Sequence, residues 1–393
     1  MIKREKYIAP IREFYDSDLV KIITGIRRCG KSVILKEISQ EIEAISDNIL
    51  YLDFEDTAVL SAVPDETALL EYVGSHRKEG LCYVFLDEAQ RVEGWAGACR
   101  TLRLRNCSVF ISGSNSKLLS REFTKELSGR YVSFRVRPFV FKELQEYGRQ
   151  LGKEVSLLDY IVWGGFPKRL EYSAESGQRV YLNELNETII LNDIVNRYGI
   201  RKTEVFKRLA NFVFLSNGRI LSARSVEKYM RGAGLPCSLT TITKYIGYLE
   251  EAYAIATVKK YSAKSKRELE YYLKVYDEDV ALNSIRISDN RFDLTHNFEN
   301  VVYNELIFMG YSVQVYNDGA HEIDFVAWKG NKRYFIQAAF SVADEKTYER
   351  EFGAFNRLDN SCQKIVVSND ELDYSTSTVR HVRFRDFVLL NEL

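Results

Sequence analysis

Zinc-ligand patterns are missing from this chain. Its six cysteines include no C-x-x-C pair and its four histidines are scattered, so no zinc site is expected. Net charge is missing too. Lys and Arg number 55, and so do Asp and Glu, so the chain as a whole makes no case for nucleic acid or a membrane surface, and such a partner has to be argued from local charge. No run approaches the roughly 18–20 apolar residues that span a bilayer. The opening residues Lys3, Arg4, Glu5 and Lys6 have no apolar core behind them, which is not the pattern of a signal peptide. Internal repeats and low-complexity segments are absent. Cys29 sits in a Gly-rich loop and Cys82 in an apolar strand, a distribution that suits reduced thiols better than a disulfide framework. These absences predict a cytoplasmic protein with no membrane partner.

What is present starts with Gly25-Ile26-Arg27-Arg28-Cys29-Gly30-Lys31-Ser32, a complete G-x-x-x-x-G-K-[ST] phosphate loop. In such a loop the glycines let backbone N–H groups turn inward onto phosphate oxygens, the lysine reaches the β/γ-phosphates and the hydroxyl holds Mg²⁺. The expected nucleotide ligands are therefore Gly25, Arg27, Arg28, Cys29, Gly30, Lys31, Ser32 and Val33. The flanks agree: Leu19–Ile23 reads as a strand, and Ser32–Ile38 as a helix with its positive end on the phosphates.

A second motif is the apolar strand Tyr83-Val84-Phe85-Leu86 ending in Asp87-Glu88. Asp87 is expected to complete the metal site with Ser32, and Glu88 to orient and polarise the attacking water. Ser108–Ser112 runs into Gly113-Ser114-Asn115-Ser116, where Asn115 or Ser114 is the candidate γ-phosphate sensor. Arg130, entering a fifth strand, is a candidate arginine finger in cis or in trans.

About two to three domains are expected from 393 residues. Five apolar runs (Val20–Thr24, Ile49–Phe54, Tyr83–Leu86, Val109–Ser112, Tyr131–Val136) alternate with helical stretches, the pattern of an α/β domain with a parallel sheet, over residues 1–145. A helical lid is expected over 146–200, interrupted by Gly164-Gly165-Phe166-Pro167. Three helices, Phe206–Leu215, Ala223–Met230 and Thr240–Glu251, precede a hairpin of Tyr253–Tyr261 with Tyr271–Tyr276, which predicts a winged helix over 201–285. Beyond it, Phe298–Met309 reads as a helix, followed by strands Ser312–Tyr316, Ile323–Trp328 and Arg333–Phe340.

These pieces together resemble a prokaryotic AAA-type ATPase family whose members carry a C-terminal domain of unknown function. The resemblance rests on the ordered set of the phosphate loop, Leu86-Asp87-Glu88-Ala89-Gln90, Ser112–Leu119, Gly129-Arg130, Gly164–Pro167, Asn192-Asp193-Ile194 and Glu322-Ile323-Asp324-Phe325. It implies ATP as the nucleotide and a restriction-endonuclease-like α/β domain over 286–393. An endonuclease site of that kind needs an acid at one strand end, then an acid and a lysine two residues apart on the next strand. Asp324 fills the first place and Glu299 can lean in from the preceding helix, but Gln337 and Ala339 stand where the second acid and the lysine belong. The expectation is a degenerate, catalytically silent site at Glu299, Asp324 and Gln337.

Local charge leaves the partner open. Residues 201–270 hold fourteen Lys/Arg against six Asp/Glu, with Lys259, Lys260, Lys264, Lys266 and Arg267 on the expected wing. Three readings stand: an Mg²⁺-dependent ATPase bound to double-stranded DNA through that winged helix, an ATP-gated switch that binds a protein partner, and an ATP-controlled nuclease. A homo-oligomer is compatible with each.

Overall fold

The computed structural model describes residues 2–113, 127, 129–261, 273–289, 291–317, 322–359 and 361–393. It divides into two compact units, Met1–Pro138 with Glu251–Tyr253, and Phe139–Glu250 with Ala254–Leu393.

The first unit is built on five parallel strands: β1 (Val20–Thr24), β2 (Ile49–Asp53), β3 (Cys82–Asp87), β4 (Cys107–Gly113) and β5 (Tyr131–Arg135). Their order is β2-β3-β4-β1-β5. Strands β1, β3 and β4 are buried along their whole length, which is why they read as mostly apolar runs rather than alternating ones; the buried Lys21 of β1 donates to Ser108 Oγ at 2.7 Å. All five expected strands are present, each within two residues of its expected ends. The order puts β4 between the phosphate-loop strand and the strand carrying Asp87. Asp65 caps the helix Glu66–His76 by accepting from Ala68 N–H at 2.9 Å.

In the second unit, helices Phe141–Gln150, Leu157–Trp163 and Glu175–Thr188 run into a π-helical stretch, Ile189–Asn196. The Gly164-Gly165 break has a packing cause. Gly165 N–H donates to Asp279 Oδ2 at 2.7 Å, and a Cβ on Gly165 would lie 1.8 Å from the Phe139 carbonyl oxygen.

Helices Thr203–Phe214, Ala223–Gly232 and Leu239–Glu251 follow. They accompany a three-stranded antiparallel sheet of β6 (Arg219–Leu221), β7 (Ile255–Lys259) and β8 (Leu273–Asp277) in the order β6-β8-β7. The expected hairpin is therefore present as β7 and β8. Strand β6 is too short to show a period in the sequence. The helix Leu294–Phe308 leads to a second sheet of β9 (Ser312–Asn317), β10 (Glu322–Lys329), β11 (Lys332–Ala339), β12 (Gln363–Ser368) and β13 (Arg380–Arg383), ordered β13-β12-β11-β10-β9. It is mixed: β9, β10 and β11 pair antiparallel, and β11, β12 and β13 pair parallel.

Candidate nucleotide site and a second, acidic pocket

The phosphate loop begins where β1 ends. Gly25 has φ +146°, and a Cβ there would lie 2.1 Å from the Val136 carbonyl oxygen, so no other residue fits. Gly30, at φ +101°, starts the helix Lys31–Glu43, whose first N–H groups have no side-chain cap. Uncapped amides at a helix start are anion-binding groups. Lys31 is buried, and its Nζ donates to the Ile26 carbonyl at 3.1 Å. The loop thus folds the lysine across itself. Cys29 is buried with its thiol donating to Val136 O at 3.4 Å, and its carbonyl accepts from Arg4 at 3.0 Å. Arg27 lies 3.8 Å from Glu55. Arg28 is exposed, at φ +65°, and Val33 is half-buried.

Because β4 separates β1 from β3, its end meets the acid pair. Ser112 Oγ donates to Asp87 Oδ1 and accepts from Glu88 N–H, the latter at 3.2 Å. Asp87 receives Tyr51 OH at 3.4 Å, and the Ser32 hydroxyl of the loop helps to hold its carboxyl down. Glu88 takes φ +53°, a left-handed conformation that non-glycine residues rarely adopt. Gln90 donates to its carboxylate. Burial pushes both acids above their ordinary values, with the Ser112 and Ser32 hydroxyls opposing this at Asp87 and the Lys31 charge opposing it at Glu88. The oxygen donors of Ser32 and Asp87 are of the kind that fits a hard divalent cation such as Mg²⁺.

Lys31, Ser32, Asp87 and Glu88 are thereby brought to one place. Asn115 and Ser114 lie outside the described residues. Ser112, not chosen from the sequence, is the hydroxyl that joins the two motifs; its position at the end of an apolar strand between them was the available signal. Arg130 does not join them. In the β1–β5 register Val20 pairs with Tyr131 and Thr24 with Arg135, so Arg130 precedes the strand at the end away from the loop, separated by about 13 Å of strand at ~3.3 Å per residue. The register sets Arg130 away from the phosphate loop of its own chain. Arg135 is the arginine that the pairing sets beside Thr24.

A second site lies wholly in the second unit. Glu299, Asp324 and Gln337 line one cavity of about 830 Å³ together with Lys274, Glu322 and Glu351. Gln337 Oε1 accepts from Asp324 N–H at 2.7 Å and its Nε2 donates to Glu351 Oε2 at 2.7 Å. Lys274, the one cation on β8, escaped the sequence reading because the contact that gives it meaning spans 50 residues.

A family model described as an AAA domain matches residues 17–145, and one described as a domain of unknown function (DUF8612) matches residues 154–290. An uncharacterized protein of Haemophilus influenzae is 33% identical over 89% of this chain and 90% of its own length. One of Methanocaldococcus jannaschii is 29% identical over 90% of this chain and 82% of its own. The structure is similar to that of a Walker-type ATPase of Pyrococcus abyssi, with a TM-score of 0.52 and 17% identity, covering 73% of this chain and 96% of that one. At that identity the likeness concerns the fold. No helix among the described residues is long and apolar enough to cross a membrane. The chain has an AAA-type ATPase fold, and it belongs to the family of the Haemophilus influenzae protein.

Proposed function

We propose that the protein is an Mg²⁺-dependent ATPase. The observation that carries the reading is the junction of Asp87, Ser112 and Glu88 at the end of the sheet where the phosphate loop begins. The loop amides and Lys31 bind the phosphates, and Lys31 exchanges its bond to Ile26 O for a phosphate oxygen. Ser32 and Asp87 hold Mg²⁺, which when bound screens the phosphate charge. Glu88, fixed by its backbone bond to Ser112, accepts the proton of the attacking water. The surrounding burial supplies the low-dielectric setting in which these charges act strongly.

The partner in this reading is double-stranded DNA. Three helices with a three-stranded antiparallel sheet fit a winged helix, here assigned to 201–285. Ser238, Thr240, Thr243 and Lys244 are exposed on or beside the helix Leu239–Glu251, and Arg201, Lys202 and Lys259 are exposed nearby in sequence. That set offers backbone contacts with little base readout. Lys264, Lys266 and Arg267 of the wing lie outside the described residues. The remaining segments are assigned as the AAA core (1–145), the lid (146–200) and an endonuclease-like domain (286–393) without nuclease activity. The fold likeness to a Walker-type ATPase supports the first of these. The test is hydrolysis and DNA binding at two salt concentrations: stimulation by duplex DNA that falls steeply with salt supports the DNA reading. Turnover indifferent to DNA moves the assignment to a switch with a protein partner.

A further inference from the structure

The acidic pocket of the second unit contains a cation of the protein's own. Lys274 Nζ lies 2.7 Å from Glu299 Oε1, 3.0 Å from Glu322 Oε1 and 3.1 Å from Asp324 Oδ1. The three carboxylates come from two elements, the helix Leu294–Phe308 and β10, and the lysine from β8. Its side chain is only 4% exposed. An ammonium has three donors and no acceptor, and here each donor has one carboxylate within reach. Other bonds fix the oxygens. Glu299 Oε1 also accepts from Tyr276 OH at 2.6 Å, and Asp324 Oδ2 accepts from Ala338 N–H at 3.0 Å.

We propose that the Lys274 ammonium takes the place of a divalent cation among Glu299, Glu322 and Asp324. The pocket is then held together by an internal charge, and removing that charge turns the three carboxylates into a site for a hard divalent cation.

The chemistry of the donor set supports this. Three convergent carboxylate oxygens are what Mg²⁺, Mn²⁺ or Ca²⁺ prefer, and a buried acid cluster without any cation is strongly unfavourable. Burial works against the charge on Lys274, but the carboxylates of Asp324, Glu299 and Glu322 outweigh it and keep the group protonated. The same arrangement explains how the site tolerates Gln337 and Ala339. With the cation fixed on β8, neither a second metal-binding acid nor a lysine on β11 is needed to balance the cluster. The proposal rests on the second unit alone and stands or falls separately from the ATPase reading.

The experiment measures Mn²⁺ binding to the full chain, without nucleotide, by the loss of the free-ion electron paramagnetic signal. Only binding abolished by Asp324→Asn is counted, which removes any contribution from the phosphate-loop site. Wild type is expected to show none at millimolar Mn²⁺. Lys274→Met is expected to bind a single Mn²⁺ per chain, to lose it in Lys274→Met with Asp324→Asn, and to show a thermal midpoint raised by Mn²⁺ where that of wild type is not. An Asp324-dependent site in wild type overturns the proposal, because metal and ammonium then coexist. So does a folded Lys274→Met that binds none. If Lys274→Met does not fold alone, refolding is followed with and without Mn²⁺: rescue supports the proposal, and no rescue overturns it.

Discussion

Ser112 donates its hydroxyl hydrogen to the carboxylate of Asp87. The same oxygen accepts the backbone N–H of Glu88, so one side chain on β4 sets both acids at the end of β3. Removing it leaves the buried Asp87 short of a donor and the Glu88 N–H without its acceptor. Each unsatisfied group costs about 1–3 kcal/mol. Ser112→Ala is expected to lower turnover by roughly ten- to a hundredfold while phosphate-loop binding of nucleotide, followed by fluorescence of a labelled ATP analogue, changes little. Unchanged turnover would remove Ser112 from the site.

The two loop glycines are expected to respond differently. A Cβ on Gly25 meets the fixed Val136 carbonyl oxygen at 2.1 Å, whereas on Gly30 the nearest atom is the flexible end of Arg4 at 3.7 Å. Gly25→Ala is expected to cost more than about 2 kcal/mol in denaturant unfolding. Gly30→Ala should cost about 1–2 kcal/mol, from its left-handed backbone alone. Equal losses would contradict the geometry.

Arg130→Ala is expected to leave turnover per chain unchanged at concentrations where the protein is a monomer, since the register puts Arg130 at the far end of β5. A loss that develops only as protein concentration rises identifies the residue as a finger acting in trans. A loss in the dilute monomer contradicts the placement.

Proton linkage gives a test on the second unit. Burial pushes Glu305 up to about 8 from an ordinary 4.5, and its acceptance of Phe141 N–H lowers it only in part. The folded state therefore holds this proton more tightly than the unfolded chain. The stability it confers is complete below about pH 4.5 and is lost as pH rises through about 8. Unfolding free energy is expected to decline across that window, with a shallower slope in Glu305→Gln. An unaltered slope would show that Glu305 does not titrate there.

Much of this was legible in the sequence, for a physical reason. Strands buried on both faces are largely apolar, so β1, β3 and β4 announce themselves, and a phosphate loop needs glycine and lysine at fixed spacing. The hairpin of β7 and β8 was readable from its flanking apolar runs. What the sequence hid depends on pairing. Ser112 gains its role from β4 lying between β1 and β3, and the place of Arg130, at the end of β5 away from the loop, follows from the β1–β5 register. Lys274 becomes part of an acidic pocket only because β8 comes close to β10. Strand β12 carries the same signal in Ile365-Val366-Val367, buried beyond its first residue, and was legible though not read; β13, four residues long, is too short to show a period.

The most direct measurement is Mg²⁺-dependent phosphate release from ATP by wild type and by Glu88→Gln, with ATP affinity measured on both. The amide keeps the shape and the backbone bond to Ser112 but cannot take a proton. The account predicts steady turnover in wild type and a loss of about a hundredfold or more in Glu88→Gln, with ATP affinity preserved. Hydrolysis that survives in Glu88→Gln would contradict the assignment of Glu88 as the base, and absence of Mg²⁺-dependent hydrolysis in wild type would contradict the ATPase itself.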